Sequence, residues 1–127
     1  MKHEYFDRQD VTRVPKPWGY ELIWGKTDRY VGKVLHINQG ESLSRQYHNV
    51  KDETLYLISG RIRLSLQWEE EARTVTMEVG DSYHIPPRLI HEIEALEDSD
   101  IVEVSTTELD DVVRLSDRYG RAGTTAR

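Results

Sequence analysis

The sequence of 127 residues contains no cysteine. This absence excludes disulfide bridges, zinc ribbons, thiolate nucleophiles and iron–sulfur clusters. No apolar run approaches the roughly 20 residues that a membrane-spanning helix needs, so we expect no membrane partner. The charged N-terminal segment MKHEYFDRQD also lacks the apolar core of a secretory signal. Together these absences predict a cytoplasmic protein.

Positive charge is scarce as well. The chain has 17 Lys and Arg residues against 23 Asp and Glu residues, which gives a formal net charge of −6. An acidic chain does not neutralise a phosphate backbone, so we expect no nucleic-acid partner. The length suits one hydrophobic core and is too short for two ordinary ones, which predicts a single domain over residues 1–127.

Short apolar segments separated by turn residues fill the middle of the chain. Alternation is clearest at positions 61–68, where Ile62, Leu64 and Leu66 share one face. Similar runs occupy positions 18–24, 31–37, 54–58, 73–79 and 101–104. No long stretch shows the hydrophobic periodicity of an α-helix. Many short strands with frequent turns predict an all-β sandwich or barrel, with its core at about 16–107.

The two ends differ from this core. Residues 1 to about 15 are polar and aperiodic, and they predict an arm or an added edge strand. Residues 108–127 form a C-terminal tail. There, Val112, Val113 and Leu115 predict the apolar side of a short helical turn.

Polar residues able to bind a cation occur in two groups. Gln46 and His48 are two positions apart, so in a strand they point to one face. Turn-prone residues at 49–52 follow and bring Glu53 back towards them, while His91 stands alone later in the chain. Two imidazoles, a carboxylate and an amide oxygen suit a divalent Zn, Mn, Fe, Co or Ni ion and do not choose among them.

The first group lies within a recognisable motif. Gly40-(x5)-Gln46-x-His48-(x4)-Glu53-(x6)-Gly60 resembles the first motif of the cupin superfamily. Gln46 stands where the usual first histidine would be. Cupins are jelly-roll β-barrels that hold one divalent metal ion inside the barrel. The resemblance therefore implies a single cupin-type barrel with a metal cofactor.

The second group resembles the second cupin motif. This motif is Gly80-(x5)-Pro86-x-Arg88-(x2)-His91. Arg88 replaces the usual glycine, and Ala95 replaces the usual asparagine. Both motifs occur in the expected order, which strengthens the resemblance.

A narrower resemblance is to mannose-6-phosphate isomerases. It is strongest to the type II enzymes, in which this domain follows a mannose-1-phosphate guanylyltransferase. The resemblance runs from about residue 14 to 121 and is carried by KPWGYE at 16–21, LSRQYH at 43–48, KDE at 51–53, IP at 85–86, DDVVR at 110–114 and DRYGR at 117–121. In that family glutamine is usual at the position of Gln46.

This resemblance implies roles for particular residues. Ser44 and Lys51 match positions that line the sugar-phosphate pocket of such isomerases. The implied metal ligands are Gln46, His48, Glu53 and His91. The partner would be a small-molecule sugar or sugar phosphate.

Aldose–ketose isomerisation would place further demands on the chain. A divalent ion stabilises the developing oxyanion, and a general base moves a proton between neighbouring carbons. We expect Lys51 to polarise the substrate or act as the base, because a nearby cation and burial lower a lysine pKa. His84 is the second catalytic candidate. Lys33 and Arg114 are candidates for binding the phosphate.

Two other functions stay open on the sequence alone. One is a cupin dioxygenase that activates O₂ at Fe or Ni, which predicts an apolar pocket without phosphate-binding cations. The other is a non-enzymatic sugar-binding or sensor module in which the metal only orients the ligand. We also expect a homodimer, because small barrels have exposed edge strands to cover.

Overall fold

The described fold consists of strands alone. The computed structural model describes Phe6, residues 8–121 and the backbone of Gly123–Thr124. In these residues there is no helix, and hence none long and apolar enough to cross a membrane. The strands are β1 (Thr12–Lys16), β2 (Gly19–Lys26), β3 (Val31–Ile37), β4 (Arg45–Tyr47), β5 (Glu53–Ser59), β6 (Ile62–Trp68), β7 (Glu71–Met77), β8 (Ser82–Ile85), β9 (Ile90–Ala95), β10 (Ser99–Ser105), β11 (Val113–Ser116) and β12 (Gly123–Thr124).

The strands form two antiparallel sheets. Sheet A has the order β1-β2-β3-β10-β5-β8, and sheet B has the order β12-β11-β4-β9-β6-β7. Strands distant in sequence are therefore neighbours in space, as β3 and β10 are in sheet A. This arrangement confirms the predicted all-β jelly-roll barrel.

The hydrophobic core lies between the inner faces of the two sheets. In sheet B, Leu64 on β6 is opposite Ile93 on β9, and both are buried. In sheet A, Ile101 on β10 lies between Leu35 on β3 and Leu57 on β5. Each such side chain contributes roughly 1.5–3 kcal/mol through burial. The alternation in the sequence thus becomes one apolar layer between two sheets.

The N-terminal segment supplies an edge strand. Thr12–Lys16 pairs with β2 at the edge of sheet A. Pro15 is tolerated there because an edge strand needs fewer backbone donors. The expectations for residues 1–5 and 7 lie outside the described residues, and the domain boundaries stay a prediction.

The predicted helical turn near the C-terminus is wrong. Val113–Ser116 forms β11, which pairs with β4 through Val113 opposite Tyr47 and Arg114 opposite Gln46. Arg114 is buried while Leu115 is exposed, which is the alternation of a strand. Pairing with β4 supplies backbone hydrogen bonds that a single helical turn lacks.

A glycine fixes the turn between β5 and β6. Gly60 has a φ of +88°, and a Cβ at this position would lie 2.3 Å from Ser99 Oγ and 2.4 Å from the Asp98 carbonyl oxygen. Gly40 has nearly the same φ, +85°, but a Cβ there would have nothing within 4 Å. Both glycines therefore have the positive φ that other residues disfavour, but only Gly60 is also closely surrounded by other atoms.

This pair gives a test of turn packing. We expect Gly40→Ala to lower the free energy of unfolding by about 1–2 kcal/mol, because alanine is strained at positive φ. Gly60→Ala carries the same strain plus overpacking, which adds roughly 1–3 kcal/mol. Urea unfolding of the metal-free variants measures both. Equal losses of unfolding free energy in the two variants would show that a Cβ at position 60 causes no overpacking against Ser99.

Candidate metal centre

Two sheets contribute to one cluster of donor atoms. His48 directly follows β4, and His91 lies on β9, the neighbour of β4 in sheet B. Glu53 begins β5 in sheet A. One ligand atom from each of these three residues lies within 4.8 Å of the others, and all three residues are buried. The barrel thus brings both sequence motifs to one point.

Backbone carbonyl groups fix the tautomer of each histidine. His48 Nδ1 lies 2.6 Å from the Asp111 carbonyl oxygen, and His91 Nδ1 lies 2.9 Å from the Leu89 carbonyl oxygen. A carbonyl oxygen accepts but does not donate, so each Nδ1 carries the hydrogen. Each Nε2 then presents a lone pair, which is the arrangement of a metal-binding histidine.

Both free lone pairs point at the same carboxylate oxygen. His48 Nε2 and His91 Nε2 each lie 3.5 Å from Glu53 Oε1. Neither buried nitrogen has a hydrogen-bond partner. Lone pairs and a carboxylate oxygen repel one another in a buried site unless a cation lies among them.

The protonation states agree with this geometry. Burial lowers the pKa of His91 to about 4, so the ring is neutral at neutral pH. Burial alone would raise the pKa of Glu53, but the Lys51 ammonium group, His48 and His91 together outweigh burial and hold the pKa well below its ordinary value. The neutral His91 imidazole, the His48 imidazole and one carboxylate make a donor set that fits a divalent metal ion.

Gln46 lies beside this cluster. It is opposite His91 in the pairing of β4 with β9, and it lines the same cavity. Its Oε1 accepts a hydrogen bond of 2.6 Å from Ser44 Oγ. Ser44 is itself buried against the cavity. The metal-ligand role of Gln46 and the substrate-binding role of Ser44 stay predictions.

Lys51 is held between two carboxylates. Its Nζ lies 3.1 Å from Glu53 Oε2 and 3.1 Å from Glu103 Oε2. Burial lowers the pKa of Lys51, but the charges of Glu103 and Glu53 outweigh burial and raise the pKa above its ordinary value. The expectation of a lowered pKa is therefore wrong, because the sequence did not place Glu103 next to this lysine.

A line of alternating buried charges extends from Lys51 along sheet A. Lys33 on β3 is opposite Glu103 on β10, and its Nζ lies 3.4 Å from Glu21 Oε1 on β2. All of these side chains are buried and line the cavity. Sequence reasoning missed Glu21 and Glu103. Glu21 in YELIW and Glu103 in IVEVS each lie at an inward-facing position of an apolar strand. A charged residue at such a position is the sequence feature that could have identified them.

The C-terminal segment brings arginines to the cavity. Arg114 on β11 is buried opposite Gln46, and Arg121 lines the same cavity. Burial lowers the pKa of Arg114, and the nearby Arg121 guanidinium lowers it further. Asp117 accepts hydrogen bonds from Arg121 Nε at 3.0 Å and Nη2 at 3.1 Å. This end of the cavity therefore carries two guanidinium groups, and the carboxylate of Asp117 pairs with one of them.

Asp111 is a further residue that sequence reasoning missed. Its carboxylate accepts hydrogen bonds from the backbone N–H groups of Val50 at 2.7 Å and Lys51 at 2.9 Å. Its backbone carbonyl oxygen accepts a hydrogen bond from His48 Nδ1. Asp111, a residue of the tail, thus positions the loop that joins the candidate metal ligands His48 and Glu53.

His84 does not reach the centre. It lies on β8 with its side chain exposed, and its Nε2 is 2.6 Å from Asp52 Oδ1. The neighbours Tyr83 and Ile85 face inwards, so strand alternation turns His84 outwards. His84 is absent from the cavity lining. The geometry corrects the expectation that His84 serves as a catalytic group.

Comparison with known proteins identifies the family. A family model described as a cupin domain matches residues 33–107, which is more than half of the chain. The chain therefore belongs to the cupin family, as its two motifs predicted.

One curated relative has a sugar phosphate in its name. The mannose-1-phosphate guanylyltransferase ManC of Salmonella typhimurium is 33% identical over 126 residues, a match that covers 94% of this chain and 25% of the relative. The chain thus spans about a quarter of the length of that relative.

Solved structures share the fold. Oxalate decarboxylase from Bacillus subtilis superposes with a TM-score of 0.72 and 18% identity, over 84% of this chain and 30% of that one. A second structure of that enzyme, described for its Mn(II) centres, gives a TM-score of 0.67 and 19% identity over 76% of this chain and 27% of that one. At this identity the likeness shows the fold alone.

Replacing either histidine tests the metal centre. We expect His48→Ala and His91→Ala each to weaken the binding of Mn²⁺ or Zn²⁺ by at least about 100-fold, because each removes a ligand and not merely its support. Elemental analysis after metal loading and desalting measures the content. His84→Ala is the matched control and should keep its metal. Unchanged metal in both ligand variants would contradict the assignment.

The buried imidazole also predicts a pH dependence for the metal-free protein. The pKa of His91 falls from an ordinary 6.5 to about 4 on folding, so the unfolded chain binds more protons between these values. Stability therefore falls as the pH drops from about 6.5 to 4, by about 3 kcal/mol for this group. Urea unfolding across this range should show a shallower slope for His91→Gln than for the wild type. Equal slopes in wild type and His91→Gln would refute the explanation.

Proposed function

We propose that this chain is a metal-dependent isomerase of a sugar phosphate, with mannose 6-phosphate and fructose 6-phosphate as its substrate pair. The observation that carries the proposal is the coincidence of the candidate metal centre and a concentration of positive charge in one cavity. The cationic side chains in its lining are Lys16, Lys33, Lys51, Arg114 and Arg121. The curated relative supports a sugar phosphate, since its name contains one.

The charge balance of the cavity favours an anionic ligand. Three carboxylates, those of Glu21, Glu53 and Glu103, accompany the five cationic groups in the lining, and Asp117 pairs with Arg121 from outside the lining. A divalent ion at the centre adds to this positive excess. A phosphate dianion complements it, and the guanidinium group of Arg114 suits phosphate geometry.

The reaction moves a proton between C1 and C2 of the sugar through an enediol. Negative charge develops on the substrate carbonyl oxygen, and a bound divalent ion supplies Lewis-acid stabilisation of such charge. Lys51 keeps its proton because of Glu103 and Glu53. It therefore acts as a charged hydrogen-bond donor towards substrate oxygens and does not abstract the proton.

Glu103 takes the role of proton carrier. It lies on the cavity wall beside Lys51, and burial and the charge of Glu53 raise its pKa. A carboxyl group with a raised pKa exchanges protons more readily near neutral pH than an ordinary one. In this proposal Lys51 polarises the substrate and Glu103 moves the proton.

Other metal-dependent reactions have weaker support. The oxygenase alternative predicted an apolar pocket, whereas the cavity contains eight charged side chains besides its histidines. The likeness to oxalate decarboxylase suits a different metal reaction but extends only to the fold. A sensor without turnover would bind the sugar phosphate and fail the exchange assay that follows.

Proton exchange tests the isomerase. In deuterated water, we expect the metal-loaded protein to incorporate deuterium at C2 of mannose 6-phosphate and at C1 of fructose 6-phosphate, as followed by NMR. Glu103→Gln should retain metal and lose exchange by at least about 100-fold, because general acid–base catalysis contributes that much.

Matched samples separate the two parts of this proposal. His84→Gln serves as the active control, and metal-free protein should be inactive. Exchange that persists in Glu103→Gln would exclude Glu103 as the proton carrier. Binding of mannose 6-phosphate without exchange in the wild type would favour the sensor instead of the isomerase.

A further inference from the structure

A second cavity lies beside the strands that end the two sheets. β7 is the last strand of sheet B, and β8 is the last strand of sheet A. The cavity has a volume of about 330 Å³, within the range of roughly 300–1,000 Å³ that small-molecule sites occupy. Among the described residues, none lines both this cavity and the cavity of the metal centre. We call it the edge cavity, and its lining includes Leu66, Trp68, Glu71, Arg73, Tyr83 and Leu89.

Two aromatic side chains line the edge cavity from different sheets. Trp68 ends β6 and shares a face with Leu66, which is buried, yet Trp68 itself is 49% exposed. Tyr83 on β8 is opposite the buried Leu55, and it packs partly against the core. Leu66 and Leu89 add aliphatic surface to the lining. The cavity therefore offers a ligand aromatic and aliphatic surface.

A carboxylate and a guanidinium group lie on the strand next to Trp68. Glu71 on β7 is opposite Trp68, and Arg73 is opposite Leu66, so both project from the same face as these two residues. Both side chains are largely exposed, and Arg73 Nη2 lies 3.6 Å from Glu71 Oε1. This separation exceeds the roughly 2.7–2.9 Å of a charge-assisted hydrogen bond. Both groups can therefore turn towards a ligand.

The charge balance of the edge cavity favours an uncharged ligand. One carboxylate and one guanidinium group give its lining no net charge, whereas the lining of the metal cavity contains five cationic groups. A phosphate dianion in the edge cavity would face Glu71 as well as Arg73. An entirely apolar ligand would take both charged groups out of water without giving them a hydrogen-bond partner, which costs free energy.

An uncharged sugar ring satisfies both conditions. The C–H groups of a pyranose form an apolar face that packs against an aromatic ring, while its hydroxyl groups project from the edge of the ring. A hydroxyl group both donates and accepts hydrogen bonds. Neighbouring hydroxyl groups can therefore donate to a carboxylate and accept from a guanidinium group at the same time.

We propose that the edge cavity is a second binding site, which takes an uncharged saccharide. The sugar ring stacks on Trp68, with Tyr83 at the opposite wall, and its hydroxyl groups bind Glu71 and Arg73. This site is independent of the proposed isomerase reaction, because it uses neither the metal ligands nor the cationic side chains of the metal cavity.

Binding of uncharged sugars tests the edge cavity. The probes are D-mannose, D-galactose and cellobiose, each added to the metal-loaded protein and to the metal-free protein. We expect saturation-transfer NMR to show contact between aromatic protons of the protein and ring C–H protons of at least one probe, equally in both samples. Trp68→Ala should weaken this binding by at least about tenfold, because it removes the stacking surface.

Trp24→Ala is the matched control. Trp24 is 42% exposed, but it lies on β2 and is absent from the lining of the edge cavity, so its removal should leave sugar binding unchanged. Glu71→Gln provides a second variant that keeps the size of an exposed side chain and should also weaken binding. Circular dichroism and metal content should match the wild type in all three variants.

Several results would overturn the proposal. They are the failure of all three probes to bind, wild-type binding in both Trp68→Ala and Glu71→Gln, or loss of binding in Trp24→Ala. Binding that appears only after metal loading would place the sugar in the metal cavity instead. The deuterium-exchange assay reports on the metal cavity alone, so a negative result there would leave this test unaffected.

Discussion

Two imidazole nitrogens and one carboxylate oxygen meet inside the barrel, each nitrogen 3.5 Å from the oxygen and without a hydrogen-bond partner. The rest of the site maintains this costly arrangement. Carbonyl groups of Asp111 and Leu89 fix the ring tautomers, and Lys51 holds the other oxygen of Glu53. This donor set suits a divalent cation as the common partner of the three atoms.

The sequence was most informative where chemistry and strand period coincide. Two motifs were sufficient to select His48, Glu53 and His91, because ligand spacing within a motif is local. Clear alternation likewise located β6, whose inward side chains are apolar. Short or polar strands were missed, including β4, since three residues give too little period to detect.

Properties that depend on residues far apart in the sequence could not be predicted from local sequence patterns. The protonation of Lys51 is set by Glu103 on β10, a strand that joins β5 only in the folded sheet. The outward turn of His84 depends on the phase of β8, and a one-residue shift would have reversed it. The tail forms a strand because β4 offers an edge there, which no local pattern reveals.

The donor atoms come from both sheets, His48 and His91 from the side of sheet B and Glu53 from sheet A. An ion bound there would act as a cross-link between the two halves of the barrel. Ligand-linked stability of this kind rises with the free ion concentration. Metal starvation would then lower the abundance of the protein in a cell as well as its function, because the less stable apo form is more open to proteases.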